Sequence, residues 1–286
     1  MAELRTEHLN HLYSTGTPFE HAALLDVDLT LPGGQMIGLL GHTGSGKSTL
    51  IQHMNALLRP TSGRVLLDGA DINADKHSRK EVKFKVGLVF QYPEYQLFEE
   101  TVYKDIAYGP GNMKLSAAEI DERVREAADF AGVEEELFER SPLELSGGQK
   151  RRIAIAGVIA MRPEILILDE PTSGLDPASS DRILRNIAGY RQKTGSTVLI
   201  VSHNMDEIAR FADRLIVLSE GTVAMDGTPA EIFSKPEKLR ALGLSVPKAT
   251  EIALALQEKG LHLDGPVYTH EGLLAALLRA KEAAGC

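Results

Sequence analysis

The stretch GHTGSGKST, Gly41–Thr49, has the residue types and spacing of a loop that binds phosphate groups. Its glycines let the backbone turn tightly around phosphate oxygens, and the helix predicted to follow presents free N–H groups to an anion. The Lys47 ammonium group can reach the β- and γ-phosphates of a nucleotide, and the Ser48 hydroxyl can bind Mg²⁺. The candidate contacts are therefore Gly41, Thr43, Gly44, Ser45, Gly46, Lys47, Ser48 and Thr49.

A pair of acids follows a second apolar run, in the stretch EILILDEP. The run Ile165–Leu168 predicts a buried strand whose end delivers Asp169 and Glu170. Asp169 directly follows the run and is the better candidate to hold Mg²⁺ beside a phosphate loop, directly or through water. Glu170 is then placed to activate or orient an attacking water molecule.

Two further polar side chains end apolar runs. His203 ends TVLIVSH and could contact a γ-phosphate, and Gln91 ends VGLVFQ and could sense Mg²⁺ or water. Composition and spacing alone establish neither role.

The stretch LELSGGQKRR, Leu143–Arg152, predicts a helix start with an unusual first turn. Ser146 and Gln149 have the spacing of a capping box. Gly147 and Gly148, however, each disfavour a helix by about 1 kcal/mol relative to alanine, and the basic residues 150–152 lie near the positive end of the helix dipole. From this segment alone, a solvated cap and an anion-binding helix start remain equally good interpretations.

Apolar runs alternate with helical patterns along the chain, which predicts an α/β fold with a parallel core sheet covered by helices. The early stretches LLDVDLTLPGG and GRVLLDGADI alternate more strictly and predict attached antiparallel strands. A mainly helical pattern over about residues 93–161 predicts a helical insertion. We divide the chain into a domain of residues 1–234 and a C-terminal extension of residues 235–286.

The C-terminal extension contains two predicted helices, in PKATEIALALQEKG and THEGLLAALLRAKEAAG. Leu273, Leu274, Leu277 and Leu278 form one apolar stripe on the second helix. The stripe either packs on its own domain or forms an interface with another subunit, and the pattern does not decide between the two.

Composition limits the function classes. The net charge of −9 and the pI of about 5.5 argue against a general nucleic-acid binder. The only cysteine, Cys286, allows no disulfide within one chain, as in proteins of a reducing cytoplasm. The first residues lack the apolar core of a signal peptide, and no apolar run is long enough for a membrane span. We therefore expect any membrane role to act through a partner.

In order, GHTGSGKST, the Gln91 segment, LSGGQ, ILILDE, SGLD and SH resemble the motifs of ABC-type ATPases over roughly residues 1–230. The resemblance implies a P-loop NTPase fold and an ATPase that works as a head-to-tail dimer, with ATP and Mg²⁺ between the two subunits. It implies that Ser146, Gly147, Gly148 and Gln149 face a γ-phosphate held by the opposite subunit. It also implies that Tyr13 stacks on adenine and that Asp176 of SGLD lies at the dimer contact.

The stretch QYPEYQLFEETVYKDIAYGP, Gln91–Pro110, resembles more narrowly the ATP-binding subunits of energy-coupling factor (ECF) importers. This resemblance implies a second ATPase subunit, identical or different, a transmembrane coupling protein and a membrane substrate-binding component. It implies a peripheral position at the cytoplasmic face of the membrane and import of a vitamin or a transition-metal ion. HMNALLRPTSG also matches, except that Ala56 stands where a glycine is more typical.

Three alternatives compete with an ECF importer ATPase. The first is the ATPase of another ABC importer class. The second is a soluble ABC ATPase acting on DNA or ribosomes, which the lack of sustained heptads and of a second cassette disfavours. The third is a regulatory nucleotide-binding subunit with little turnover, which the presence of Glu170 and His203 disfavours.

Overall fold

The computed structural model describes residues 2–263 and 265–283, so the expectation based on Cys286 lies outside the described residues. The strands are β1 (Leu4–Tyr13), β2 (His21–Leu31), β3 (Met36–Leu40), β4 (Ser62–Leu67), β5 (Ala70–Asp71), β6 (Val86–Val89), β7 (Ile165–Asp169), β8 (Thr197–Val201), β9 (Arg214–Ser219) and β10 (Thr222–Gly227). The α-helices are α1 (Lys47–Met54), α2 (Lys76–Lys85), α3 (Val102–Gly111), α4 (Ala117–Ala131), α5 (Gly147–Ile159), α6 (Pro177–Thr194), α7 (Met205–Phe211), α8 (Pro229–Phe233), α9 (Pro236–Ala241), α10 (Lys248–Glu258) and α11 (His270–Ala283).

The central sheet has six strands in the order β10-β9-β3-β8-β7-β6. All its neighbours pair in parallel except β10, which pairs antiparallel with β9. Strands β3, β6, β7 and β8 are buried at every residue, as their continuous apolar runs predict. Because parallel strands end at the same edge of a sheet, the segments that follow these four strands meet there.

A second sheet has the antiparallel order β2-β1-β4-β5 and confirms the predicted antiparallel β subdomain. One hydrophobic core joins this sheet, helix α1 and one face of the central sheet, with members such as Leu4, Val27, Leu50 and Ile167. The helix that follows the phosphate loop is therefore fixed against both sheets.

Helix α1 ends at Met54, and the next residues explain an unusual feature of the sequence. Ala56 is fully buried with a left-handed backbone (φ 54°). This conformation is unfavourable for residues with a Cβ atom by about 1 kcal/mol, which explains why a glycine is more typical in the family pattern. The Asn55 side chain donates a hydrogen bond to the Val86 carbonyl and ties the end of α1 to β6.

Helices α3, α4 and α5 pack together and form the predicted helical insertion. Helix α4 begins with a capping box between Ser116 and Glu119. The acidic run Glu134–Glu136 is exposed and lies in and beside the short 3₁₀ turn Glu135–Leu137.

In the C-terminal extension, α10 and α11 share a small core that includes Ala249, Val267 and Leu273. The predicted leucine stripe is divided: Leu273 is buried and Leu277 packs against this core. Leu274 and Leu278, in contrast, are 60% and 54% exposed. Part of the stripe thus packs on its own chain, and an interface with another subunit stays a prediction for the exposed part.

A search of the described residues finds no helix that combines the length and the apolar character needed to cross a membrane.

Candidate functional site

A cavity of about 400 Å³ lies where β3, β6, β7 and β8 end. The residues predicted from sequence that line it are Tyr13, Thr43, Gly44, Gly46, Lys47, Ser48, Thr49, Gln91, Asp169, Glu170 and His203. Residues His21, Ala22, Ala23 and Val201 line it as well, and sequence reasoning missed them. No motif identifies His21, Ala22 and Ala23, because β2 is brought to the cavity by its packing against distant parts of the chain, whereas Val201 is the last residue of β8.

The phosphate loop adopts a conformation that its glycines make possible. Gly44 and Gly46 have left-handed φ angles of 83° and 102°, and a Cβ atom on Gly46 would lie 2.5 Å from the Ala23 carbonyl oxygen. Gly41 and Ser45 do not line the cavity. Ser45 is fully buried beneath the loop.

The Lys47 side chain crosses the loop that precedes it. Its Nζ atom donates hydrogen bonds to the carbonyl oxygens of Gly41 at 2.6 Å and His42 at 2.9 Å. Burial lowers the pKa of Lys47, an effect that the charges of Glu170 and Asp169 oppose. The ammonium group is thus held at the loop, where an entering phosphate can exchange for the carbonyl contacts.

The two acids at the end of β7 are both buried. Burial raises the pKa of Asp169, while Lys47 lowers it. The pKa of Glu170 is raised to about 7, first by burial and then by the charge of Asp169. Glu170 also has a left-handed backbone (φ 52°), an unfavourable conformation of the kind that concentrates at functional sites.

The donor set at this edge fits Mg²⁺. Ser48, Gln91 and Asp169 offer a hydroxyl, an amide and a carboxylate oxygen, which are the hard ligands that Mg²⁺ prefers. Glu170 Oε1 is buried and accepts no well-aligned hydrogen bond from the described residues, although His203 Nε2 lies 3.3 Å away. A cation would therefore relieve a real excess of buried negative charge.

His203 lies next to Glu170, with 3.3 Å between His203 Nε2 and Glu170 Oε1. Its side chain is 54% exposed and faces the same cavity. Burial, followed by the charge of Lys47, lowers the pKa of His203. A largely neutral imidazole in this position can donate one hydrogen bond to a phosphate oxygen.

Tyr13 stands at the end of β1 beside the loop. Its hydroxyl lies 3.2 Å from Thr49 Oγ1, and its ring stacks on His21 with 5.3 Å between ring centroids and an interplanar angle of 24°. An aromatic surface therefore borders the phosphate-binding part of the cavity.

The glycine-rich start of α5 lies away from this cavity. Its predicted capping box is confirmed: Gln149 N donates to Ser146 Oγ at 3.3 Å, and Ser146 N donates to Gln149 Oε1 at 3.0 Å. A Cβ atom on Gly147 or Gly148 would meet no other atom within 4 Å. The chain's own packing therefore does not require glycine at either position.

Asp176 also lies away from the cavity, at the start of α6. Its carboxylate accepts hydrogen bonds from the backbone N–H groups of Ala178 and Ser179, both at 3.0 Å. Within this chain Asp176 is a helix cap.

Of the basic residues in the first turn of α5, Arg151 is not available to an external anion. Its side chain is only 4% exposed and forms a two-point ion pair with Glu94, at 3.3 and 3.1 Å. It also donates to the carbonyl oxygens of Pro171 and Ser173. Arg151 thus joins α5 to the segment after Gln91 and to the loop after Glu170.

Comparisons with known proteins agree with this geometry. The sequence model of the ABC transporter family matches residues 24–173. An energy-coupling factor transporter ATP-binding protein EcfA2 from Symbiobacterium thermophilum is 52% identical over 271 residues, covering 95% of this chain and 94% of its own. The protein of the same name from Caldanaerobacter subterraneus subsp. tengcongensis is 49% identical and covers 96% of both chains.

Solved structures give the same result. CbiO1 from Clostridium perfringens, described as part of the ABC transporter complex cbiONQ, is 38% identical with a TM-score of 0.74, over 87% of this chain and 97% of its own. The ATP-binding cassette MJ0796, solved as a dimer with ADP and Pi, is 29% identical with a TM-score of 0.71, over 79% of this chain and 98% of its own. The chain belongs to the ABC transporter family, in its group of energy-coupling factor transporter ATP-binding proteins.

We predict that Arg151→Met lowers the free energy of unfolding by about 3 kcal/mol, because Glu94 and two carbonyl groups lose their buried donor. Lys150→Met removes a neighbouring positive charge and should change stability by less than about 0.5 kcal/mol. Adding Glu94→Gln to Arg151→Met should recover part of the loss. Urea unfolding of the four chains measures these differences, and equal effects of Arg151→Met and Lys150→Met would contradict the assigned role.

Proposed function

We propose that the chain is the ATP-hydrolysing subunit of an ECF-type importer that takes up a vitamin or a transition-metal ion through membrane partners. Family membership makes it an ABC ATPase whose hydrolysis is coupled to transport. The observation that supports the proposal best is the convergence of Lys47, Asp169, Glu170 and His203 on one cavity.

In the proposed site, each residue has a distinct task. Lys47 and the N–H groups at the start of α1 bind the phosphates, and Tyr13 stacks on the adenine ring. Ser48, Gln91 and Asp169 would hold Mg²⁺, which when bound offsets charge on the phosphate oxygens. Glu170 accepts a proton from the attacking water, and His203 donates a hydrogen bond to the γ-phosphate.

The cavity is only half of the proposed site. The start of α5 is exposed at Ser146 and Gly147, and its glycines leave open space that an external ligand can approach closely. A free helix N-terminus with exposed N–H groups binds anions. We infer that this surface contacts the γ-phosphate held by a second ATPase subunit, identical or different, with Asp176 at the contact.

The membrane partner requires a surface of its own. Tyr92, Tyr95, Phe98 and Tyr108 are between 47% and 85% exposed. Phe98 and Tyr108 border a groove of about 440 Å³ between α2, α3 and α5. Asp105 is buried in this groove, and its Oδ2 atom accepts no hydrogen bond from the described residues.

These features favour the groove as the docking site of the transmembrane coupling protein. Apolar side chains line it together with Lys80, Lys83, Gln96 and Asn112, and Asp105 is a buried acceptor, so it suits a largely apolar segment that carries a hydrogen-bond donor. Its position between the segment after Gln91 and α5 links it to both halves of the ATP site. The complex would hold this chain at the cytoplasmic face of the membrane.

For the chemistry, we predict that Glu170→Gln keeps ATP binding but reduces turnover by at least about 10²-fold, because the amide cannot accept the proton of the attacking water. The variant should accumulate as an ATP-bound dimer in gel filtration. Near-normal hydrolysis by purified Glu170→Gln would remove Glu170 from this role.

For the second half-site, we predict that Gly148→Asp abolishes hydrolysis without lowering stability. A carboxylate in the first turn favours the helix itself but repels an incoming phosphate. Ala118→Asp is the matched control, since it places the same charge at the equivalent position of α4, which has the same type of capping box. Equal ATPase activity in the two variants would argue against an anion at the start of α5.

For the docking site, we predict that Phe98→Ser with Tyr108→Ser lowers both recovery of the membrane complex and uptake, while ATP binding stays near normal. Leu97 is left unchanged because it packs against the main core. Phe19→Ser, on a different and highly exposed surface, is the control. Unchanged assembly and uptake in the folded double variant would rule out this groove.

A further inference from the structure

Two histidines form a buried pair beneath the nucleotide cavity. His11 of β1 and His53 of α1 meet edge to face, with 4.7 Å between ring centroids and an interplanar angle of 65°. His53 is fully buried and His11 is 8% exposed. The pair therefore lies between the antiparallel sheet and the helix that follows the phosphate loop.

The pair has very few hydrogen bonds for its degree of burial. Neither ring nitrogen of His53, nor Nδ1 of His11, has a hydrogen-bond partner of good geometry among the described residues, although the Leu58 carbonyl lies near enough to raise the pKa of His53. Buried polar groups without partners are rare and unfavourable. A neutral His53 ring tolerates this apolar environment, whereas an added proton would create a buried cation without a carboxylate to accept it.

Contacts connect the pair to the proposed adenine-stacking residue. The His11 ring packs against Tyr13 with 4.4 Å between centroids. The Tyr13 hydroxyl lies 3.2 Å from Thr49 Oγ1, and Thr49 is one turn before His53 on α1. A closed ring of contacts thus runs from Tyr13 through His11 and His53 to α1, and back through Thr49.

We propose that the His11–His53 pair positions Tyr13 against the phosphate-loop helix and makes nucleotide binding sensitive to acid. Protonation of His53 separates β1 from α1 and withdraws Tyr13 from the base. This inference rests on the proposed stacking of Tyr13 on adenine and adds a regulatory property to that site.

The electrostatic surroundings agree with the geometry. The pKa of His53 is lowered to about 4, first by burial and then by the charge of His11, against a small opposing effect of the Leu58 carbonyl. Lys47, at the start of the same helix, is held by the loop carbonyls. From β2, His21 faces Tyr13.

The remaining charged groups nearby belong to other contacts. Asp26 and Asp28 of β2 pair with His8 of β1. On β1 and β4, Glu7 pairs with Arg5 and Arg64. No carboxylate is among the groups that shift the pKa of His53.

The sign of the effect follows from these protonation states. A histidine released from the pair takes up a proton near its ordinary pKa of about 6.5, whereas the buried ring resists protonation down to a pKa of about 4. The arrangement in which His53 is packed against His11 is therefore fully stable above pH 6.5. It is progressively lost as the pH falls towards 4. Between pH 7.5 and 5.5, the fraction of molecules in which His53 is released from the pair rises by up to about tenfold.

The test is calorimetric binding of Mg-ADP and of Mg-pyrophosphate, which lacks the base, at pH 7.5 and 5.5. Wild-type chain should lose more ADP affinity on acidification than His53→Phe does, and the rise of about tenfold in the released population is the upper limit of that loss. Pyrophosphate should show no such difference between the two proteins. Titration of the phosphates and of Glu170 is common to both proteins and cancels in the comparison.

Matched variants make the outcome decisive. His77→Phe removes an exposed histidine, so its ADP affinity should change with pH as that of the wild type does. If His53→Phe fails to fold, His53→Gln replaces it. Parallel pH profiles in wild type and the His53 variants would overturn the inference, as would an acid effect that persists in Tyr13→Ala. Failure of the wild type to bind ADP at pH 7.5 would instead overturn the proposed function.

Discussion

Two adjacent carboxylates, Asp169 and Glu170, are buried at a sheet edge beside a single lysine. Both acids have a raised pKa because burial disfavours their charged forms. Lys47 cannot offset both charges while it also holds the loop carbonyls. We propose that Mg²⁺ and a phosphate together complete the charge balance of this cavity, and the hydroxyl and amide oxygens at the same edge suit that cation.

The parallel sheet enforces this arrangement, and the helical insertion extends it. Residues after β3, β6, β7 and β8 meet because those strands end together. Arg151 then ties the exposed start of α5 to Glu94 and to the loop after Glu170. A change in charge at the acids can thus reach the start of α5 and the groove beside Phe98 through packed, hydrogen-bonded contacts.

Local sequence patterns predict the local parts of this structure well. The phosphate loop, the acids after β7 and the capping box at Ser146 depend on neighbours a few residues apart, so spacing alone identifies them. The burial of Arg151 could not be predicted, because a run of basic residues gives no sign of Glu94, which lies 57 positions earlier. The His11–His53 contact and the place of His21 in the cavity depend on packing between β1, β2 and α1, which no motif records.

We propose that a complete site forms only when the phosphate loop of one chain meets the start of α5 of another. Orthovanadate trapped in place of the γ-phosphate cuts the nearby backbone on irradiation, and therefore measures this directly. In a dimer of a wild-type chain and a tagged Lys47→Ala chain, only the wild-type loop can hold the nucleotide and vanadate. We expect the tagged chain to be cut at Ser146–Gln149 and not in its own phosphate loop. An assembled dimer in which the wild-type loop is cut and the tagged chain stays intact would contradict it.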